Sequence, residues 1–286
     1  MISYSNALKE AVESLEQSDI IDAKLDAWYL VEYITGFSRV DFLLRGNDNM
    51  SEQEYQKLRE LTAKRAEHVP LQHLIGTTEF MGLSFFVNEH VLIPRQETEL
   101  LVEEVLKVCK GKTVLDMCTG SGCIIISLSV LGEIKNAYAV DLSEKALEVA
   151  KKNATFHNAD ISFIQSDMFH NIKNNNNINT KFDIIVSNPP YIRTDVIRDL
   201  MVEVKEHEPY MALDGDADGL KFYRIIANEA GKYLSDGGYL CLEIGYDQAE
   251  DVKRLLSERN FKEISVLKDY AGLDRIVIAK NNAKGE

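Results

Sequence analysis

A stiff and polar tetrapeptide, Asn188-Pro189-Pro190-Tyr191, ends an apolar segment of the chain. Its two prolines remove two backbone donors and fix two φ angles. The nitrogen of a carboxamide is a poor nucleophile because its lone pair is delocalised, and the same resonance gives a peptide bond its rotation barrier of about 18–20 kcal/mol. Acceptors on both of its N–H bonds would let such a nitrogen attack a methyl group. The Asn188 side-chain oxygen and the Pro189 carbonyl could be those acceptors.

The same four residues predict a rigid cradle for a planar amide. Pro190 would keep the Pro189 carbonyl fixed, and Tyr191 would pack against the planar group and orient it. A near-attack geometry held in this way supplies on the order of 7–11 kcal/mol. We therefore expect catalysis and substrate binding at Asn188, Pro189, Pro190 and Tyr191. Taken alone, the tetrapeptide is equally typical of a Pro-Pro turn with an asparagine cap.

A loop with two glycines lies earlier in the chain, between a predicted strand and a predicted helix. Glycines let a backbone approach a ligand closely, and a helix N-terminus offers unpaired N–H groups to an anion. A dinucleotide-binding loop requires a third glycine three residues beyond Gly122, where Ile125 stands. The loop, residues 118–122, therefore predicts a ligand site and disfavours a cofactor with a pyrophosphate.

Acidic residues follow the next two predicted strands. Asp141 lies beyond Gly122 at close to the spacing of about 20 residues that is typical of a ribose-binding acid. Asp167 and Met168 end the following strand, where they could hold the edge and the face of an adenine. S-adenosylmethionine fits this set, because it has a ribose, an adenine and a carboxylate but no phosphate. Any one of these residues alone would be equally consistent with a solvated turn or a helix cap.

The composition limits the class of protein. Of the 286 residues, 45% are hydrophobic and 27% charged, as is ordinary for a globular protein with a sizeable core. The net charge of −14, with no Lys/Arg cluster longer than a pair, argues against a nucleic-acid substrate. The four cysteines form no CxxC pair, so we expect no zinc site. Without a long apolar run or a basic leader, we expect no membrane contact and a cytoplasmic location.

The pattern of apolar residues changes along the chain. Helical periodicity covers about the first 75 residues, with Gly36 as a predicted helix end and Ser51 with Glu54 as a predicted capping box. Residues 78–94 have the pattern of a β-hairpin with Gly82 near its bend. A helix from about 97 to 108 comes next.

Strands and helices then alternate, which predicts a parallel sheet covered on both faces, with ligands at the carboxyl ends of its strands. The last two strands are joined by too short a connection for a crossover helix, so they should pair antiparallel. The asparagine-rich stretch 174–180 is predicted to be a surface loop. The predicted strands are 113–117, 137–141, 161–165, 182–187, 238–244, 264–268 and 275–280, and the predicted helices are 122–131, 143–158, 219–234 and 248–260.

Several blocks of the sequence resemble those of the class I S-adenosylmethionine-dependent methyltransferases, and more closely the release factor glutamine methyltransferases, the HemK/PrmC family. They include "PLQHLIGTTEFMGLSFFVNEHVLIPRQETELLVE", "VLDMCTGSGCIIISL", "AVDLSEKALEVAKKNA", "FDIIVSNPPYI", "EPYMALDGDADGLKFYRII" and "LEIGYDQ". The resemblance implies a doubly wound α/β fold: a seven-stranded sheet with one antiparallel strand, plus a small all-α N-terminal domain joined by a β-hairpin. It also implies N5-methylation of the glutamine in the Gly-Gly-Gln motif of class 1 peptide chain release factors.

The resemblance assigns parts of the chain to functions. It implies a helical substrate-binding domain at 1–75, a hairpin linker at 76–96 and a methyltransferase domain at 97–286. The tetrapeptide from Asn188 would cradle the glutamine, and Asn188 would contact the cofactor as well. Gln96, His73 and Met168 depart from the family's usual proline, tyrosine and aromatic residues. The implied contacts to S-adenosylmethionine are Cys118, Thr119, Gly120, Ser121, Gly122, Asp141, Met168 and Asn188.

Other functions use similar motifs. A nucleic-acid amino-methyltransferase shares the Asn-Pro-Pro-Tyr motif but would predict a basic face or an inserted recognition module, so we rank it well below a protein methyltransferase. Methylation of a glutamine on a ribosomal protein uses the same motif and is harder to exclude. A cofactor-sensing protein without turnover would not need the intact substrate cradle from Asn188 to Tyr191.

Overall fold

The computed structural model describes residues 2–172 and 181–282, and the predicted surface loop at 174–180 lies outside these ranges. The chain forms two compact units. The first comprises Met1–Thr77 and Met201–His207, and the second comprises Thr78–Leu200 and Glu208–Glu286. The short segment from Met201 to His207 therefore belongs to the first unit, although it follows most of the second unit in the chain.

The first unit is helical, as the periodicity predicts. Gly36 ends the second helix with a left-handed φ of 69°, and Ser51 and Glu54 form the predicted capping box. Leu15 and Leu30 are fully buried in the core of the unit. Its first five helices are α1 (Tyr4–Gln17), α2 (Ala23–Thr35), α3 (Arg39–Arg45), α4 (Glu52–Ala66) and α5 (Leu71–Ile75).

A buried arginine links the segment 201–207 to the helices of the first unit. The Arg65 guanidinium donates to Asp26 at 2.7 Å and to Glu203 at 2.5 Å. Arg65 and Asp26 are both buried. Removing one partner of such a pair would leave a charge without compensation in the interior. The periodicity of the first 75 residues did not predict this contribution from later in the chain.

The predicted β-hairpin is confirmed. It consists of β1 (Thr77–Phe80) and β2 (Leu83–Phe86), and Gly82 at the bend has a φ of 70°. Phe80 and Phe85 are buried in a core shared with the sheet. Helix α6 (Gln96–Leu106) follows.

A seven-stranded sheet organises the second unit, with the strand order β5-β4-β3-β6-β7-β9-β8. Strand β9 pairs antiparallel with both of its neighbours, and the other pairings that connect β5 to β7 are parallel. The predicted fold class is therefore confirmed. The strands are β3 (Thr113–Met117), β4 (Asn136–Asp141), β5 (Ile161–Gln165), β6 (Phe182–Ser187), β7 (Leu234–Glu243), β8 (Lys262–Lys268) and β9 (Asp274–Lys280).

Helices cover both faces of this sheet. Along β6, Ile185 contributes to one core, whereas Ile184 and Val186 contribute to the other, as the period of two requires. The helices that follow α6 are α7 (Cys123–Leu131), α8 (Glu144–Phe156), α9 (Val202–His207), α10 (Tyr210–Leu213), α11 (Lys221–Tyr233) and α12 (Ala249–Ser257), with a 3-10 turn at Ile197–Asp199. The sequence did not predict the short elements between 197 and 213, because they are too short to show periodicity. Within the described ranges, no helix has the length and apolarity needed to cross a membrane.

Asn153, on α8, joins the hairpin to the glycine loop. Its side-chain nitrogen donates to the Phe86 carbonyl at 3.0 Å and to the Ser121 carbonyl at 2.9 Å. Its oxygen accepts from the Phe86 N–H at 2.7 Å. Asn153 is fully buried, and its side chain pairs with all three of these backbone groups.

Replacing Asn153 with alanine should lower the free energy of unfolding by about 1–3 kcal/mol or more, because buried polar groups would lose their partners. Urea denaturation would measure the change. Asn6→Ala is a matched control, because Asn6 is exposed on a helix and should change stability by less than about 0.5 kcal/mol. Equal effects of the two substitutions would contradict the bridging role.

Candidate functional site

A cavity of about 950 Å³, including its open mouth, lies at the carboxyl ends of β3 to β6, wholly within the second unit. Its lining includes most of the predicted cofactor contacts, together with two residues of the tetrapeptide. Gly122, Pro189 and Tyr191 are site residues predicted from the sequence that do not line it. The predicted site residues in its wall are Cys118, Thr119, Gly120, Ser121, Asp141, Met168, Asn188 and Pro190.

Both glycines of the loop have left-handed φ values, and Gly122 in addition lies close to the side chains of two helices. A Cβ on Gly122 would lie 2.9 Å from Ile126 Cδ1 and 3.2 Å from Ala150 Cβ, so this glycine allows α7 and α8 to pack closely. A Cβ on Gly120 would meet nothing within 4 Å, but its φ of 56° is in the left-handed region. Gly120 therefore shapes the backbone that faces the cavity.

Asp141 fixes the glycine loop through its carboxylate. One oxygen accepts from the Gly120 N–H at 2.9 Å, and the other accepts from the Ser143 N–H at 2.8 Å. Burial raises the pKa of this carboxyl, although its backbone hydrogen bonds oppose the shift. A carboxylate offers about four acceptor positions, so these backbone groups do not use all of them and a ligand in the cavity can still donate to Asp141.

Cys118 and Met168 meet across the ends of β3 and β5. The Cys118 thiol lies 3.8 Å from the Met168 sulfur, and the two residues have φ values of 63° and 47°. Left-handed backbone at non-glycine residues is unusual and concentrates at functional sites. Burial raises the pKa of the Cys118 thiol, so the thiol stays protonated and does not act as a nucleophile. Cys118 contributes to the cavity wall instead.

Asp116 is a buried acid that the sequence did not mark as part of the site. It is fully buried on β3, and one of its oxygens accepts from the Thr119 hydroxyl at 2.6 Å. Burial raises the pKa of Asp116 to about 7, and the negative charge of Asp141 adds to the shift. The signal in the sequence was an acidic residue inside an otherwise apolar strand.

The tetrapeptide lies beside the glycine loop because β6 pairs in parallel with β3. Met117 is in register with Ser187, whose hydroxyl donates to the Met117 carbonyl at 2.6 Å. Asn188 and Pro190 therefore face the same cavity as the loop. This proximity is what the strand-end argument predicted.

A second buried acid, Glu243 at the end of β7, lies behind the tetrapeptide. Its Oε2 accepts from the Thr98 hydroxyl at 2.6 Å, and its Oε1 accepts from the Tyr191 hydroxyl at 3.2 Å. Thr98 Oγ1 in turn accepts from Asn188 Nδ2 at 3.2 Å. Burial raises the pKa of Glu243 to about 6, against the opposing effects of the Thr98 hydrogen bond and the Arg275 charge. The sequence did not predict a role for Thr98 or Glu243.

The backbone of Tyr191 is clamped by segments from later in the chain. The Gln248 side chain donates to the Tyr191 carbonyl at 2.9 Å and to the Gly219 carbonyl at 3.3 Å. A Cβ on Gly215 would lie 2.8 Å from Tyr191 Cα, and a Cβ on Gly219 would collide with the Tyr191 carbonyl oxygen. The rigidity expected from the two prolines is thus reinforced by tertiary contacts.

Comparisons with known proteins agree on a family. The family model described as the PrmC N-terminal domain matches residues 6–76, and the one described as the methyltransferase small domain matches residues 95–206. The chain is similar to a release factor glutamine methyltransferase of Fusobacterium nucleatum, at 38% identity over 97% of this chain and 78% of that protein. It is similar to another of that name from Agrobacterium fabrum, at 37% identity over 96% of both.

Solved structures share the fold. One is a 16S rRNA methyltransferase of T. thermophilus in complex with AdoMet and guanosine, with a TM-score of 0.51 and 18% identity. The match covers 72% of this chain and 50% of that one. At this identity the similarity concerns the fold alone, and that protein's RNA substrate illustrates that one fold serves several substrates.

Gly219→Ala should destabilise the protein more than Gly237→Ala. Both glycines have positive φ values, of 72° and 70°, so both substitutions cost about 1–2 kcal/mol of backbone strain. Only the Cβ at Gly219 would also strike the Tyr191 carbonyl, whereas nothing lies within 4 Å at Gly237. The collision should add about 1–3 kcal/mol. Thermal unfolding would measure the difference, and equal losses would contradict a close backbone clamp.

Proposed function

This chain belongs to the release factor glutamine methyltransferase family, and we propose that it methylates the side-chain amide nitrogen (N5) of the glutamine in the Gly-Gly-Gln motif of class 1 peptide chain release factors. The methyl donor in the proposal is S-adenosylmethionine. The observation that supports the proposal most directly is the position of Asn188 and Pro190 in the same cavity wall as Gly120 and Asp141. An amide held at the first pair would lie next to a donor held at the second.

The donor fits the chemistry of the cavity wall. Asp141 retains acceptor positions for the two ribose hydroxyls, and the N-terminus of α7 suits the carboxylate of the donor. Met168 offers an apolar surface and Asp167 an acceptor for the adenine. The left-handed backbone at Cys118 and Met168 shapes the two walls between which the donor would lie.

When bound, S-adenosylmethionine supplies a methyl group on a positively charged sulfur. The Asn188 oxygen and the Pro189 carbonyl accept the two N–H groups of the substrate amide, which raises the electron density on its nitrogen. The nitrogen so held would accept the methyl group that the donor would supply, and the donor would leave as a neutral thioether. The nitrogen then loses one proton, which we expect to leave to water. Pro190 limits backbone motion during these steps.

The substrate side of the proposal uses the rest of the chain. Residues 1–75 and the linker at 76–96 would bind the protein substrate, and residues 97–286 would carry the reaction. The wall of the cavity includes His90, Val91 and Arg95, which follow the hairpin. The four cysteines are free thiols, which is typical of a reducing compartment, and we place the enzyme in the cytoplasm.

Mass spectrometry of a class 1 release factor tests the proposal. After incubation with this protein and S-adenosylmethionine labelled in its methyl group, one labelled methyl should appear on the glutamine of the Gly-Gly-Gln motif. Asn188→Ala should abolish the transfer but leave the dissociation constant of the donor largely unchanged. Ribosomal proteins and ribosomal RNA, offered in competition, test the alternatives. A label that appears on either of them and not on the release factor would overturn the proposed substrate.

Asp141→Ala should mainly weaken binding of the donor. Hydrogen bonds to a charged group contribute about 1.5–3 kcal/mol, so the dissociation constant should rise by about 10- to 150-fold. Isothermal titration calorimetry would measure it. Asp160→Ala is the control, because Asp160 is exposed and is not part of the cavity wall. An unchanged dissociation constant for Asp141→Ala would remove its assigned role at the ribose.

A further inference from the structure

One carboxylate holds both ends of the tetrapeptide. Glu243 receives the Tyr191 hydroxyl on Oε1 and the Thr98 hydroxyl on Oε2, and Thr98 receives Asn188 Nδ2. Thr98 and Asn188 line the cavity, whereas Glu243 is buried to 1% exposure and is not among the residues in the cavity wall. Glu243 therefore acts on the cavity only through its neighbours.

The number of available protons determines which group donates and which accepts at each hydrogen bond of this chain. An ionised carboxylate can only accept, so the single hydroxyl proton of Thr98 is used on Glu243. Thr98 Oγ1 can then only accept from Asn188, which requires the Nδ2 side of the Asn188 amide. The Asn188 oxygen is consequently the side that remains for a ligand in the cavity. An acceptor at this place suits a group that donates hydrogen bonds, such as a carboxamide nitrogen.

We propose that Glu243, through Thr98, is the positioning residue that orients the Asn188 amide and thereby selects a hydrogen-bond donor as the methyl acceptor. This inference rests on the proposed function and deepens it. It explains why a threonine on α6 and a glutamate on β7 lie together behind the reacting residues. A carboxylate substrate, which has no N–H to donate, would meet the Asn188 oxygen as a repulsive partner.

The orientation depends on the charge of Glu243. A protonated Glu243 can donate to Thr98, which frees the Thr98 hydroxyl to donate in turn to the Asn188 oxygen. The Asn188 amide then rotates by half a turn and presents its NH2 group to the cavity. Two donors, the NH2 groups of Asn188 and of the substrate, would then face each other, and methyl transfer should slow.

Burial raises the pKa of Glu243 to about 6. Asp116, whose pKa burial raises to about 7, bonds to Thr119 and is not part of this chain of hydrogen bonds. Burial raises the pKa values of the Cys123 thiol and of the Tyr191 and Tyr223 hydroxyls, so these stay protonated through the range from pH 5 to pH 8. Arg275 stays positive and favours the charged carboxylate. The titratable and charged groups that act on Glu243 or respond to it are Glu97, Cys123, Tyr191, Tyr223 and Arg275.

Nuclear magnetic resonance tests the orientation without any methyl transfer. The side-chain 15N–1H signals of Asn188, assigned by their loss in Asn188→Ala, should shift between pH 8 and pH 5 with a one-proton midpoint near 6. Glu243→Gln should abolish this titration. Signals that titrate unchanged in Glu243→Gln, or that do not move at all in the wild type, would overturn the proposal whatever the substrate of the enzyme is.

Kinetics supply the second test, provided that the wild type methylates the release factor. Thr98→Val should lower kcat by about 10- to 100-fold, because the hydrogen bond that orients the Asn188 amide is lost. The dissociation constant of S-adenosylmethionine should change by less than about twofold, and Thr98→Ser should restore most of the kcat that Thr98→Val loses. The fall in wild-type kcat below pH 6 should be absent from Glu243→Gln.

A charge-matched control separates positioning from stability. Asp183→Asn neutralises a carboxylate that accepts from the Thr113 N–H at the opposite end of β6. It should change neither kcat nor the fall of kcat below pH 6. If Glu243→Gln fails to fold, the comparison of Thr98→Val with Thr98→Ser decides the question. Equal kcat values for Thr98→Val and Thr98→Ser, or a fall of kcat below pH 6 that persists in Glu243→Gln, would overturn the inference. A wild type that methylates no release factor would refute the proposed function instead.

Discussion

The parallel pairing of β3 with β6 decides where chemistry can occur in this protein. It aligns Met117 with Ser187. A buried hydrogen bond of 2.6 Å from the Ser187 hydroxyl to the Met117 carbonyl stabilises this register. The residues that follow these two strands, the glycine loop and Asn188, consequently face one cavity. A register slip of one residue would turn the side chains of either strand to the opposite face, where they would not fit the other core, and would misplace the site residues. Two sheet faces that are both buried leave no room for such a slip, so the core of the unit and the geometry of its site are specified together.

Buried acids give the cavity its second constraint. Asp116 and Glu243 are both removed from water, and both have a raised pKa because burial disfavours their charged forms. Each acid uses its oxygens to accept from a hydroxyl that belongs to the cavity wall, Thr119 in one case and Thr98 in the other. Burying ionisable groups costs stability. In return, the hydrogen bonds inside a low-dielectric site become strong and directional, which is what orientation of a neutral amide requires.

The tetrapeptide is stiff for two reasons, one local to its own residues and one that depends on residues distant in the sequence. Its prolines restrict their own φ angles wherever they stand. The backbone of Tyr191, in contrast, is held by Gln248 and by two glycines that allow close approach, Gly215 and Gly219. Residues 192–194 also pair with 213–216, which extends the clamp beyond the tetrapeptide. The rigidity of the tetrapeptide is therefore a property of the fold around it as well as of its prolines.

Much of this protein is determined by its sequence alone, because local patterns carry the information. Strand alternation, the capping box at Ser51 and the helix end at Gly36 depend on neighbours in the chain, and the structure confirms them. Most of the site residues that the sequence predicted at strand ends lie in the cavity wall, because parallel strands bring those ends to one edge. Only the tertiary structure placed Thr98 next to Glu243, which are 145 positions apart, and assigned the segment 201–207 to the helical unit. Neither has a local signal, since the meaning of a lone threonine or glutamate depends on which distant groups share its burial, and those partners are decided by packing.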